Sequence, residues 1–458
     1  MTDICQIRFS RDNYALLMGH LYPGDGDEHG AVLLAGMSSS NGRQTFHIRE
    51  VHMAKEGTDY VEGKIGYRAL SPQFIHKLIT RARDQKLAYL AVHNHATDLR
   101  VGFSQIDLDS HERGYPALIQ ISRGMPVGAL VFGLRSIEAD VWMKDGRRLS
   151  LDSAVVVGNT VQRLTPCPKH DSDDDTSVYD RQLRMFGKAG QRELAECHVA
   201  ILGLGGIGSL AAEYLARLGV GTFTLVDCDT VEESNLSRIV GASLKDAADR
   251  ISKVSVAQRV IVEANPKAKI RLIEDDVAKE SVAKELSGVD YMFLAADSMR
   301  ARLVFNALVH QYLVPGVQLG SKIRSNSDSG LVDVMSANRP VRPGHGCLWC
   351  NGLIDTNALA KESKSDDERK AQAYGVEEPN PSVISLNAIS ASHAVNDFLL
   401  NYLCLRPEGD ALYYEEFHFL ASKRNLVAPR RDPDCPECSP SGLRYGRADE
   451  VALPCIEG

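Results

Sequence analysis

The 458-residue chain has no apolar run long enough to cross a bilayer, which excludes a helical membrane span. Its opening residues, MTDICQIRFSRDNY, lack the basic-then-apolar order of a secretory leader. Basic charge is also short: 52 Lys and Arg stand against 60 Asp and Glu, a formal net charge of −8. Non-specific nucleic-acid binding needs the opposite balance, because cationic side chains must replace condensed counterions. Ten cysteines are present, but a small-domain disulfide framework is not: four form two Cys-x-x-Cys pairs and the rest are scattered. The expected setting is a reducing cytoplasm, with no nucleic acid and no membrane as partner.

The chain also lacks internal repeats and long low-complexity tracts, yet it is too long for one compact core. One composition break stands out. The stretch TPCPKHDSDDDTS (165–177) carries two prolines, four aspartates and no apolar periodicity, and reads as a linker. Before it, the runs AVLLAG, LAYLAV, GALVFG and SAVVVG read as strands. SPQFIHKLITRARDQ reads as a helix with Ser71 as N-cap and Phe74, Ile75, Leu78, Ile79 and Ala82 on one face. After it, HVAILGL, SLAAEYLARLG, TFTLVDCD, KVSVAQRVIVEAN, KIRLIEDD and DYMFLAA alternate strand and helix. The expected fold class is α/β in two domains. A mixed α/β domain spans 1–162, a linker 163–177, and a Rossmann-like, mostly parallel sheet with helices on both faces spans 178–440. A flexible tail is expected at 441–458.

HNHATDLRVGFSQID (93–107) follows the apolar run LAYLAV. Side chains at i and i+2 of a strand share a face, so His93 and His95 can bind one metal ion from one side. A helix starting near Ser104 could add Asp107, leaving a fourth position for water, as in catalytic zinc sites. Glu28, in DEHGAVLLAG, is a candidate general base, with Glu50 and Glu56 as alternatives. This set resembles the JAMM (JAB/MPN) metallopeptidases, where a distant glutamate precedes His-x-His and Ser-x-x-Asp. The resemblance implies that Glu28 activates a zinc-bound water, that His93, His95 and Asp107 are ligands, and that Ser104 stabilises the oxyanion. Two departures stand beside it. Ala96 occupies the usual proline position, and the gap from His95 to Asp107 is one residue longer, which leaves Asp109 as an alternative ligand.

ILGLGGIGSLAAEYLARLG places Gly203, Gly205, Gly206 and Gly208 between a strand and a helix, where backbone can approach phosphate. Asp227 follows nineteen residues after Gly208, suited to ribose hydroxyls, with Asp229 two residues on. Asn235, Arg238, Lys253, Asp297 and Arg181 complete a set with more phosphate-seeking groups than a dehydrogenase needs. The ordered set resembles the ThiF/MoeB family, the adenylation domain of ubiquitin-activating enzymes, over about residues 178 to 440. The resemblance implies ATP and Mg²⁺ as cofactors. Asp227 would hold ribose, Asn235, Arg238 and Lys253 the phosphates, and Asp297 the magnesium. Arg181 would reach a partner protomer's site, implying a homodimer.

CLWC and DCPEC give Cys347, Cys350, Cys435 and Cys438, two knuckles suited to a closed, structural zinc site. The expected zinc content is therefore one catalytic and one structural Zn²⁺. No cysteine lies in 351–385, where a thioester-forming activating enzyme of this family would hold one. Cys404 is expected in an apolar helix core, Cys228 packed, and Cys455 in the tail. Together the two halves read as a ubiquitin-like-protein activating enzyme fused to a zinc peptidase acting on the same carrier, with a conjugating-enzyme-like partner. Activation of a sulfur-carrier protein is the alternative purpose, and a nucleotide-binding scaffold with an inactive peptidase is the alternative of another class.

Overall fold

The computed structural model describes residues 3–40, 42–61, 69–97, 100–167, 177–326, 330–362, 381–407 and 412–456. The chain forms two compact units. One comprises Met1–His170, Gln311–Leu313 and Pro440–Ala452, and the other Asp171–His310, Val314–Ser439 and Leu453–Gly458. Among the described residues no helix is long and apolar enough to cross a membrane.

The first unit holds β1 (Ile4–Ser10), α1 (Arg11–Leu21), β2 (Gly30–Ser40), β3 (Arg43–Met53), α2 (Pro72–Gln85), β4 (Ala88–Asn94) and α3 (Gln105–Ile121). It continues with β5 (Val127–Phe132), β6 (Ile137–Trp142), β7 (Arg148–Val157) and β8 (Val161–Leu164). Strand order is β1-β3-β2-β4-β5-β6-β7-β8, and β1 also pairs in parallel with β7, so seven strands close into a ring. The near-continuous apolar run of β2 follows from burial on both faces. Ala31, Leu33 and Ala35 pack with Tyr14, Leu17 and Leu21 of α1. Val32 and Leu34 pack with Phe74, Leu78, Ile79 and Ala82 of α2 and Tyr115 of α3. The same alternation runs along β4: Ala88, Leu90 and Val92 join the first cluster, while Tyr89 and Ala91 face the second. His93 and His95 continue the second series, towards α3.

Two expected boundaries are corrected. Residues 163–164 belong to β8 and not to a linker, while 168–176 of that linker lie outside the described residues. The expected flexible tail is pinned. In the first unit Arg49 donates to the Gly442 carbonyl (3.0 Å), and Gln311 donates to the carbonyls of Ala448 (2.7 Å) and Val451 (2.6 Å). Tyr445 and Ala448 are buried. In the second unit the Ile456 amide donates to the Ala278 carbonyl at 2.9 Å.

The second unit holds α4 (Asp180–Glu196), β9 (His198–Leu202), α5 (Gly206–Leu218), β10 (Thr222–Val226), α6 (Leu244–Ala248), α7 (Lys253–Ala264) and β11 (Lys269–Ile273). Then come α8 (Glu280–Glu285), β12 (Tyr291–Leu294), α9 (Met299–Gln311, whose last residue belongs to the first unit), β13 (Gly316–Asn326), β14 (Gly330–Val341), α10 (Thr356–Glu362), α11 (Ile384–Tyr402), β15 (Tyr414–His418) and β16 (Lys423–Val427). Strand order is β11-β10-β9-β12-β13-β14-β15-β16. The parallel part runs from β11 to β13, and β13 to β16 pair antiparallel, an extension not expected from the sequence. Because β10 and β12 flank β9 on opposite sides, the strand order reverses between β9 and β12. The crevice at their carboxyl ends is where open α/β sheets bind ligands.

Candidate functional sites

The turn between β9 and α5 sits at that crevice, and Gly203, Gly206 and Gly208 in it are sterically required. Gly203 has φ +93°, and a Cβ there would lie 2.7 Å from the Ala296 amide nitrogen. One at Gly208 would lie 1.8 Å from the Gly203 carbonyl oxygen. A Cβ at Gly206 would lie 2.3 Å from Nδ2 of Asn387, a buried residue of α11 that no local sequence pattern singled out. Gly205, the α5 N-cap, faces open space. The helix therefore starts with uncapped backbone N–H groups aimed at an open crevice, an arrangement that suits phosphate.

Asp227 follows β10 with both oxygens engaged, by the amides of Leu204 (2.6 Å) and Asp229 (2.9 Å). Burial raises its carboxyl pKa, against the opposing pull of Lys253. The Lys253 ammonium lies 2.6 Å from Asp229 and 4.0 Å from Asp227. Asn235 is buried and accepts from the Glu232 amide at 3.3 Å, while Arg238 is half-buried and donates to the Ser234 carbonyl at 2.9 Å. Asp297 is exposed just past β12, in the segment whose Ala295 and Ala296 amides bond the Leu202 carbonyl. Beyond it, the Glu362 carboxylate accepts from the first amides of α9, Met299 (2.8 Å) and Arg300 (3.0 Å). Arg181 is exposed in the first turn of α4. The fold thus brings Gly203 to Gly208, Asp227 and Asp297 to one crevice, with Lys253 beside Asp227.

The four cysteines meet as expected. Sγ separations are 3.5 Å (Cys347–Cys350), 3.8 Å (Cys347–Cys435) and 3.7 Å (Cys350–Cys438). Zinc–sulfur bonds of about 2.3 Å in a tetrahedron require sulfurs roughly 3.8 Å apart. Disulfide sulfurs would sit at about 2.05 Å, so the donor set fits zinc and not a redox pair. Asn351 and Arg430 exchange two hydrogen bonds beside it (2.8 and 3.2 Å), tying the two knuckles' loops together. The other thiols differ from expectation. Cys404 is exposed just beyond α11, not in its core, Cys228 is exposed and not packed, and Cys455 is half-buried.

In the first unit, His93, His95 and Asp107 offer ligand atoms all within 4.8 Å of one another. His93 Nε2 lies 3.6 Å from Asp107 Oδ2, is buried, and has no hydrogen-bond partner among the described residues. A buried imidazole nitrogen left unpaired costs stability, and a metal ion would satisfy it. Burial, then His93, lower the His95 pKa against Glu28 and Asp107, favouring the neutral, metal-binding ring. Burial works against Asp107 ionisation, but His93 and Ser104 hold its carboxyl well below the usual range. Ser104 is the N-cap of α3, and its hydroxyl donates to Asp107 Oδ2 at 2.7 Å. As placed it orients the carboxylate. Asp109 instead accepts from Gln105 and does not join the cluster.

Glu28 Oε1 is 3.9 Å from His95 Nε2. The alternative base Glu50 is committed elsewhere, to Arg81 through two bonds (2.7 and 2.9 Å) and to His52 at 2.7 Å. Burial opposes this charge, but those bonds hold the Glu50 pKa at about 2. A folded pKa below the unfolded value gives stability that is full above pH about 4.5 and lost as pH falls towards about 2. Glu50→Gln should therefore flatten the acid limb of a pH–stability curve in that window, read by circular dichroism. An unchanged limb would show that the pair contributes nothing.

A third cluster, His393, Asp397 and Glu415, is an ion-pair network. Asp397 is bonded by Arg406, Glu415 by Arg424 at 2.6 Å, and His393 lies 3.1 Å from Glu415. Arginines already neutralise both carboxylates, so this donor set does not fit a cation.

The pattern of the ThiF family matches residues 179–437, more than half of the chain. The molybdopterin-synthase adenylyltransferase of Salmonella typhimurium is 34% identical over 190 residues, 41% of this chain and 73% of that one. The sulfur carrier protein ThiS adenylyltransferase of Escherichia coli is 28% identical over 275 residues, 59% of this chain and 98% of that one. The tRNA threonylcarbamoyladenosine dehydratase of Escherichia coli is 34% identical over 138 residues, and the chain spans 51% of its length. The solved structure of E. coli MccB aligns at 19% identity with TM-score 0.48, over 60% of this chain and 75% of that one. At that level the likeness carries no argument about function.

Proposed function

The chain belongs to the ThiF family, and from that premise we propose that its second unit adenylates the C-terminal carboxylate of a small carrier protein. A carboxylate oxygen forms a bond to the ATP α-phosphorus, the bond to the bridging oxygen breaks, and pyrophosphate leaves. The observation that carries this reading is the glycine turn, with Asp227 and Asp297 at one strand-order reversal and Lys253 beside Asp227. Asp227 would take ribose, Asn235, Arg238 and Lys253 the phosphates, Asp297 the magnesium, and Arg181 a partner protomer's site. Relatives named for molybdopterin synthase and for a sulfur carrier favour the sulfur-carrier class over the conjugation system expected from the sequence. ATP–pyrophosphate exchange tests this: it should need a carrier ending in a free carboxylate. Exchange absent with every sulfur-carrier and ubiquitin-like protein tried would leave only the nucleotide-binding scaffold.

A second reading concerns the first unit, and His93 Nε2, buried and without a hydrogen-bond partner among the described residues, carries it. His93, His95 and Asp107 would hold Zn²⁺, which would acidify a water molecule at its open position. Glu28, on the same side as His95, would take that proton, making the unit a hydrolase for the carrier's C-terminal extension. Glu28→Gln keeps the shape but removes the base, and general-base loss costs about 10²- to 10⁴-fold. The expected result is two zinc ions per chain in both proteins, with cleavage lost only in the variant. One zinc per chain in the wild type, unchanged by substituting His93 and His95, would overturn the reading.

A further inference from the structure

We infer that Asn94 is a positioning residue for Glu28, an inference that rests on the zinc-hydrolase reading. It lies between the two histidines, and its side chain leaves β4 on the opposite face from theirs. Gly30 is the first residue of β2 and pairs with His93, and the amide of His29 lies just before that pairing. Asn94 Oδ1 accepts from that amide at 2.6 Å, and Asn94 is only 4% exposed. One peptide unit before His29 is Glu28. The strand that presents both imidazoles therefore also clamps the backbone that presents the base, on its other face.

Asn94 joins these two segments through its side chain. The Gly30 amide donates to the Tyr60 hydroxyl at 2.9 Å, and the Gly30 carbonyl faces His20 Nε2 at 2.9 Å. Those bonds fix where β2 begins, but neither touches β4. The Asn94 side chain reaches this segment from the His-x-His strand, beside the Gly30–His93 pairing. With Glu28 Oε1 at 3.9 Å from His95 Nε2, a shift of about 1 Å in the segment would misplace the base, which is enough to cost on the order of 100-fold.

Removing the acceptor also leaves a buried amide unsatisfied. Asn94→Ala should keep both zinc ions and ATP–pyrophosphate exchange, yet lower kcat by about 10- to 100-fold with KM nearly unchanged. Hydrogen–deuterium exchange of the peptide covering residues 25–31 should quicken. Asn94→Asp, which keeps an acceptor oxygen at the same place, should restore slow exchange and most of kcat. The substrate is a peptide ending in Gly-Gly joined to aminomethylcoumarin. An active wild type with Asn94→Ala equal to it in kcat and in exchange would overturn the inference alone. Loss of zinc in Asn94→Ala would also overturn it, by making the residue a support of the ligands. A zinc-loaded wild type that cleaves nothing would overturn the hydrolase reading and this inference with it.

Discussion

Cys438→Ser is expected to remove one zinc ion per chain and most of the soluble protein. Cys435 and Cys438 lie more than eighty residues beyond Cys347 and Cys350, so the ion would cross-link segments that local structure cannot hold together. Structural zinc binding contributes about 10–16 kcal/mol in small domains. Whole domains are stable by only about 5–15 kcal/mol, so losing even part of that contribution rivals the stability of the second unit. Cys347 and Cys438 are fully buried and Cys435 nearly so, and a serine would place a poorer ligand in a cavity shaped for sulfur. Zinc content and the thermal unfolding midpoint, with and without a chelator, read the effect. A variant with unchanged yield, midpoint and zinc content would show that the thiols only pack.

The same four residues illustrate what a linear sequence can disclose. Two doubled knuckles are legible because zinc chemistry demands particular residue types at short spacing, and the fold need only bring the pairs together. The glycine turn is legible for the same reason: Gly203, Gly206 and Gly208 are fixed by collisions that any side chain would meet. His93 and His95 could be read from strand periodicity alone, and Asp107 from its position after an N-cap serine. Asn94 and Asn387 were not legible. Each acts on a segment more than sixty residues away in sequence or through a packing contact with another helix, and an asparagine has no periodicity to betray it. The closing pair β1–β7 and the antiparallel strands β14 to β16 were missed for a related reason. Pairing partners are chosen by tertiary packing, and the alternation within one strand does not name its neighbour. The pinned C-terminal segment depends on Gln311 and Arg49 reaching its carbonyls, again at long range.

Asp297→Ala is expected to lower carrier-dependent ATP–pyrophosphate exchange by about 10²- to 10³-fold, the loss seen when one preorganised group facing developing charge is removed. The segment before Asp297 is held rigidly. The Ala295 and Ala296 amides both bond the Leu202 carbonyl at 2.8 Å, and Gly203 packs against them closely enough to forbid a Cβ. Asp297 itself is exposed at the end of this clamp, so its carboxylate is available to a cation while its backbone is fixed. Pyrophosphate departure spreads negative charge over the leaving group, and a divalent ion that Asp297 would hold would lower the barrier more than it tightened ground-state binding. The loss should therefore fall on the exchange rate at saturating ATP, with little change in nucleotide affinity. Lys253→Ala should behave differently. Its ammonium lies 2.6 Å from Asp229 and 4.0 Å from Asp227, so removing it leaves two carboxylates facing each other and should weaken nucleotide binding as well. Equal losses of rate and affinity in both variants would assign Asp297 to ground-state binding, and full exchange in Asp297→Ala would remove it from the site.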